Sequence, residues 1–227
     1  MRTSDLVKWN RAVNEIRYKH NELELIKELS TEMGPVFNQE VKQYCKKNDI
    51  DLEALEKQRM LLNPPKKPSV VKEGEEIIED AGSDLAEAEE HFMGEIPEFH
   101  QPEEKDVDEM KEIFKRLFKK LAIHLHPDRV MNLSDQERED RLEMFKEAKD
   151  ALDNEKYFYL LDLSDRFRVR MPNNYKQQTR WMNDRIKQLD QEIDLQKNSY
   201  NYVFSECETD AEKDKIIFLF LKQMYGI

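Results

Sequence analysis

Between Met110 and Leu125 the apolar residues Phe114, Leu117, Phe118, Leu121 and Leu125 recur at steps of one, three and four. At 100° per residue they fall within about a third of a helix's circumference, the stripe of a helix that packs on one side. Lys111, Lys115, Arg116, Lys119 and Lys120 fall on the other side, so one face is built to pack and the other is a basic strip. Pro127 then stops the helix, because it has no N–H to donate and pushes His126 out of the α region. Asp128 and Arg129 are left in a sharp exit turn. A second helix is announced by Ser134-Asp135-Gln136-Glu137, with a serine at the N-cap and a glutamate three residues on. Leu142, Phe145, Ala148 and Leu152 give it its own apolar stripe. Two such helices joined by a short polar loop pack as an antiparallel hairpin. Its tip displays His126, Pro127 and Asp128 beside the basic strip.

Helical periodicity runs through the rest of the chain. The 227 residues include only 5 glycines, and 38% of residues are charged. Alternating Val/Ile/Thr runs flanked by hairpin turns are absent, so the expected fold is all-α, with long helices and solvated faces. Leu6, Trp9, Val13, Ile16, His20 and Leu23 form a seam on a helix predicted over 4–32 and ended by Gly34-Pro35. Short helices are predicted over 36–46 and 51–62, broken at Asn48-Asp49. Past the hairpin the pattern predicts a helix over 155–168, burying Phe158, Leu161 and Leu163. It predicts a second long helix over 177–202, with a seam of Met182, Ile186, Leu189, Ile193, Gln196, Tyr200 and Val203. A last helix over 211–225 is capped at Thr209. Its Ile216, Ile217, Phe218, Phe220 and Leu221 either close the helical body or form a partner patch. The two seams match in length, which predicts an antiparallel, coiled-coil-like stalk of 4–32 against 177–202 within one chain. The expectation is a monomer, with homodimerisation through either helix as the alternative.

Charge divides the chain. Residues 73–109 hold 16 acidic residues and one basic residue, leaving a net +3 on the remainder of a chain whose total is −12. The segment follows the proline-rich Asn63-Pro64-Pro65-Lys66-Lys67-Pro68-Ser69, an extended linker. Like-charge repulsion outweighs the little apolar area the acidic segment can bury, so it reads as mostly disordered. Either it is a solubilising tether, or it lies on Lys115, Arg116, Lys119 and Lys120 and competes with a partner. Four segments result: an N-terminal helical region (1–62), a Pro-containing then acidic linker (63–104), the hairpin domain (105–170) and a C-terminal helical region (171–227).

The run Leu117 to Arg129, Leu-Phe-Lys-Lys-Leu-Ala-Ile-His-Leu-His-Pro-Asp-Arg, resembles the basic helix and His-Pro-Asp loop of J domains. These are the DnaJ-type modules that drive DnaK-type chaperones. Phe145 and Ala151 match the Phe-x5-Ala of that family's following helix. The family's first short helix, with Tyr-x-x-Leu-Gly, has no counterpart here, since Asp106 to Met110 is acidic. Ala86–Met93 or a distant part of the chain would take its place. Neither a Gly/Phe-rich region nor cysteine repeats follow the hairpin, and the helical extension is closer to J proteins of bacteria and large viruses. The resemblance implies that Asp128 contacts an arginine on the chaperone's nucleotide-binding domain. It further implies that His126 and Pro127 shape the loop, and that Lys115, Arg116, Lys119, Lys120 and Arg129 meet an acidic groove.

Other chemistries find no support in the residue pattern. His124 and His126 are two apart and point to different helix faces, so they cannot share a metal. Glycine-rich phosphate loops are missing, and aromatic residues do not interleave with the basic strip as a nucleic-acid surface would require. Cys45 and Cys207 read as free thiols of a reducing compartment. The start of the chain has no apolar signal segment, and Ile216–Leu221 is too short to span a bilayer. The expectation is a non-enzymatic co-chaperone without cofactor or metal, neither membrane- nor nucleic-acid-bound. It would be cytoplasmic (in the host cytoplasm if the source is viral) and recruit a DnaK-type chaperone to an unidentified client. The alternative is a scaffold or assembly protein that uses the stalk and carries a J-like hairpin.

Overall fold

The computed structural model describes residues 3–62 and 104–227. Among them the fold is all-α: α1 (Thr3–Lys47), α2 (Leu52–Leu62), α3 (Glu104–Leu125), a 3-10 turn (Pro127–Arg129), α4 (Asp135–Asp153), α5 (Tyr157–Arg166), α6 (Tyr175–Lys197), α7 (Tyr200–Ser205) and α8 (Asp210–Tyr225). Most of the acidic linker, its expected contact with the basic helix and Ala86–Met93 lie outside the described residues. The chain forms two compact units that cut across the four sequence segments. The first draws its described residues from within Met1–Leu23 and Glu98–Glu192, the second from within Glu24–Pro97 and Ile193–Ile227.

In the first unit α3 buries Met110, Phe114, Leu117, Leu121 and Leu125, each no more than 2% exposed. That is the face expected from the spacing, with Met110 added and Phe118 half-buried at its margin. The capping box of α4 forms as expected. The Ser134 hydroxyl accepts from the Glu137 amide at 3.4 Å, and the Ser134 amide donates to Glu137 Oε2 at 3.2 Å. Small buried Ala148 and Ala151 let α4 lie close against its neighbours. α5 supplies Tyr157, Leu160, Leu161 and Leu163 to the same core, while Phe158 is only half-buried.

Distant parts of the chain, α1 and α6, complete the packing around α3 and α5. Phe114 stacks on Tyr157 with ring centroids 4.2 Å apart, and Tyr157 meets Trp181 of α6 at 5.0 Å. A cavity of about 10 Å³, lined by Ile16 of α1, Phe114, Tyr157 and Trp181 among others, marks where they converge. Gln178 is fully buried there and fully used. It accepts from Trp9 Nε1 at 2.8 Å and donates to Asn174 Oδ1 at 2.7 Å.

The expected pairing of α1 with α6 forms, but the two run parallel, not antiparallel. Trp9 meets Tyr175 and Gln178, and Lys19 pairs with Asp190 at 2.7 Å, so contacts advance together along both helices. A seam states which face is buried and says nothing of direction. Direction comes from α5, which lies antiparallel to α1 through Arg17–Asp162 at 2.6 Å and His20–Phe158 at 5.6 Å. The short connection after α5 reverses the chain, so α6 runs with α1.

The second unit packs around Phe37 of α1. Its ring lies 5.2 Å from both Phe204 and Phe220 and 6.3 Å from Tyr200. Val41, Cys45, Ile216, Ile217, Leu221 and Met224 complete this core. Gly34-Pro35 does not end the helix as expected; α1 runs through it, so 36–46 is not a separate helix. Pro35 removes one hydrogen bond and crowds the Thr31 carbonyl, a cost of about 3 kcal/mol. Both residues are exposed, so water reaches that carbonyl. Burial of Phe37, Val41 and Cys45 beyond the proline returns roughly 1.5–3 kcal/mol for each large side chain, enough to carry the helix through.

The second long helix, unlike α1, is shorter than expected. α6 ends at Lys197, and the extended Ser199 caps α7 by accepting from the Tyr202 amide at 3.3 Å. Serine competes with helical hydrogen bonding and favours this position. The break coincides with Tyr200 and Phe204 entering the core. In α8 the Thr209–Glu212 capping box forms, and Ile216, Ile217, Phe220 and Leu221 close the core while Phe218 stays 45% exposed. Both cysteines are free, and burial pushes both thiols up. Among the described residues no helix is long and apolar enough to cross a membrane.

Candidate functional site

The tip of the α3–α4 hairpin is built by backbone constraints that begin at Pro127. His126 sits at φ −64°, ψ 132°, the extended conformation that a following proline imposes. Its amide still closes the last turn of α3 on the Ala122 carbonyl at 2.9 Å. Pro127, Asp128 and Arg129 then form one turn of 3-10 helix, in which the Arg129 amide donates to the His126 carbonyl at 2.8 Å. The turn is anchored by Val130, only 6% exposed, whose amide donates to the Pro127 carbonyl at 3.2 Å.

His126 acts as the cap of this turn. The Asp128 amide donates to His126 Nδ1 at 3.3 Å, so the imidazole accepts from the turn that it caps. The Asp128 carboxylate lies 3.6 Å from the same nitrogen, beyond hydrogen-bond reach, and its side chain is 83% exposed. The far side of the imidazole meets the Phe145 ring edge-on at 5.3 Å. Phe145 also packs on Phe118 at 5.7 Å. The phenylalanine of the Phe-x5-Ala pattern thus braces the tip from α4, while Ala151 lies buried.

The structure brings the sequence-identified residues together as one surface. Lys111, Lys115, Arg116, Lys119 and Lys120 are all exposed on α3, and Pro127, Asp128 and Arg129 are exposed at its end. Lys115 pairs with Glu112 at 3.2 Å and Arg116 Nε donates to the Glu112 carbonyl at 3.2 Å. Exposed pairs of this kind are worth well under about 1 kcal/mol and break readily for a partner. Ile123, 61% exposed, lies on this face, and Met131, 68% exposed, follows the turn. The position of Ile123 opposite the buried stripe was readable from the wheel.

Sequence reasoning missed a second set of contacts at the base of the tip. Arg141 Nη1 of α4 donates to the His124 carbonyl at 3.2 Å, and its guanidinium lies 4.3 Å over the Phe167 ring. The His124 ring stacks on the same phenylalanine at 5.9 Å with 10° between planes. Nothing local signals this cluster, because its members are spread from His124 to Phe167. The arrangement offers no nucleophile–base pair, and no group of three or more metal-ligating side chains exists among the described residues. What it presents is an exposed, positively charged helix face with the Asp128 carboxylate at its end. Comparison with protein-family models, curated proteins and solved structures returned no match, so the J-domain resemblance rests on the hairpin's own residues.

Proposed function

We propose that this chain is a J-domain-type co-chaperone. It binds a DnaK-type chaperone through the outer face of α3 and the 3-10 turn, and stimulates that chaperone's ATP hydrolysis without doing chemistry itself. The single observation that carries the reading is the presentation of His126-Pro127-Asp128. The tripeptide is held in a capped turn, next to five exposed cations on a helix whose opposite face is buried. Asp128 is free to accept a bidentate pair from an arginine of the partner. Lys115, Arg116, Lys119, Lys120 and Arg129 suit an acidic groove and would speed encounter by steering. The other helices would choose client or location.

The test is steady-state ATP hydrolysis by a DnaK-type chaperone with wild-type protein and with Asp128→Asn. Stimulation by wild type alone supports the reading. Equal rates with and without wild type sink it.

A further inference from the structure

The cluster below the tip has a role that the charged surface does not explain. An α-helix leaves its last four carbonyls without partners, and α3 ends where its orientation matters most. One of those carbonyls, that of His124, is taken by Arg141 from α4 at 3.2 Å. The same guanidinium rests on the face of Phe167, the residue that follows α5 and caps it by donating its amide to the Leu163 carbonyl at 2.9 Å. Phe167 in turn stacks on the His124 ring, and Arg166 approaches it at 5.8 Å. Glu137 of the α4 capping box lies near enough for the Arg141 charge to favour its carboxylate. The planar guanidinium can donate in plane to a carbonyl while its flat, charged face covers an aromatic ring. Three elements therefore meet two residues before His126. The hairpin core does not need them there, since Leu121 and Leu125 are already fully buried.

We infer that Arg141 is a positioning residue. Seated on Phe167, it clamps the His124 carbonyl at the C-terminal end of α3 and so fixes the angle at which His126-Pro127-Asp128 is presented to the partner. The inference rests on the reading of the tip as a chaperone contact, but its structural half can be measured without a chaperone. The clamp separates two quantities that a merely structural arginine would move together. Binding through the α3 cations survives its loss, whereas the trigger at Asp128 does not.

The experiment compares full-length wild type with Arg141→Gln, Arg141→Lys and Phe167→Leu. Amide hydrogen exchange at His126 and Arg129 in the protein alone is expected to rise about five- to ten-fold in Arg141→Gln and Phe167→Leu, the scale of one lost hydrogen bond. Amides of α6 should be unchanged. In the chaperone assay the maximal stimulation should fall while the half-saturating concentration stays within about two-fold, since that concentration reads the cationic contacts. Arg141→Lys should recover part of the maximum, because it keeps the charge but not the fork. Unchanged exchange at the tip overturns the clamp. So does faster exchange spread equally over α4, α5 and α6, which would mean general loosening. If Arg141→Gln does not fold, Phe167→Leu decides on the same readouts. A wild type that fails to stimulate ends the co-chaperone reading, and the exchange measurement still decides the clamp.

Discussion

Asp128 is 83% exposed, so its substitution leaves the fold alone. Asp128→Asn keeps the size and the turn but removes the charge that a bidentate arginine contact needs. The expected result is loss of chaperone stimulation with an unchanged far-ultraviolet circular dichroism spectrum. His126→Gln should abolish stimulation too, because it removes both the Nδ1 acceptor of the Asp128 amide and the edge contact with Phe145. The opposite behaviour is expected one helix face away. Leu121 is 0% exposed, and Leu121→Ala should destabilise the protein by about 2–5 kcal/mol. Chemical denaturation reads this as a lower midpoint, while any molecules still folded stimulate normally. A Leu121→Ala protein as stable as wild type would contradict the packing of α3.

At the scale of elements, Pro35 is the position where a local signal and the tertiary structure disagree. The chain keeps a proline inside α1 because the segments on either side are buried, not because the proline fits. Pro35→Ala should therefore stabilise the protein, restoring the amide that bonds the Thr31 carbonyl, by an amount on the order of 1–3 kcal/mol. A rise in the thermal midpoint checks this, and a fall would mean that the proline is required where it stands. The capping boxes give a pH dependence with a definite sign. Hydrogen bonds from the Ser134 hydroxyl and amide hold the Glu137 carboxyl below its ordinary value, and those of Thr209 and Glu208 do the same for Glu212. A lowered folded value means the contribution is complete above the unfolded glutamate range. It is lost as pH falls through the folded value. The first turns of α4 and α8 should thus fray on acidification, visible in the amide signals of residues 134–138 and 209–213. These caps, the α3 stripe and the tip were legible in the sequence because each is written within one or two helical turns. The direction of α6 and the passage of α1 through Pro35 were not. Both are set by contacts between residues far apart, such as Arg17 with Asp162 and Phe37 with Phe220. Arg141 escaped for the same reason: its partners lie 17 residues before it and 26 after it.

For the whole molecule the governing quantity is the separation of charge. Residues 73–109 carry 16 acidic residues against one basic residue, and their last six form the start of α3, the helix that presents Lys111, Lys115, Arg116, Lys119 and Lys120. Were the acidic segment to lie on that face, its covalent connection would set an effective concentration in the millimolar range, well above that of a dilute partner. Opposite charges at that concentration compete with any acidic groove for the same cations, and the competition is screened once the Debye length shrinks to a few ångströms. Replacing the acidic residues of 73–103 with serine and glutamine should therefore lower the half-saturating concentration for chaperone stimulation at roughly 20 mM salt, where screening extends beyond about 20 Å. The difference should vanish near 0.5 M. The maximal rate should not change, because a competitor for the cations alone leaves the turn at Asp128 untouched. Superimposable curves for the two proteins at low salt would show that the acidic segment does not occupy the face of α3. It would then act only as a solubilising tether.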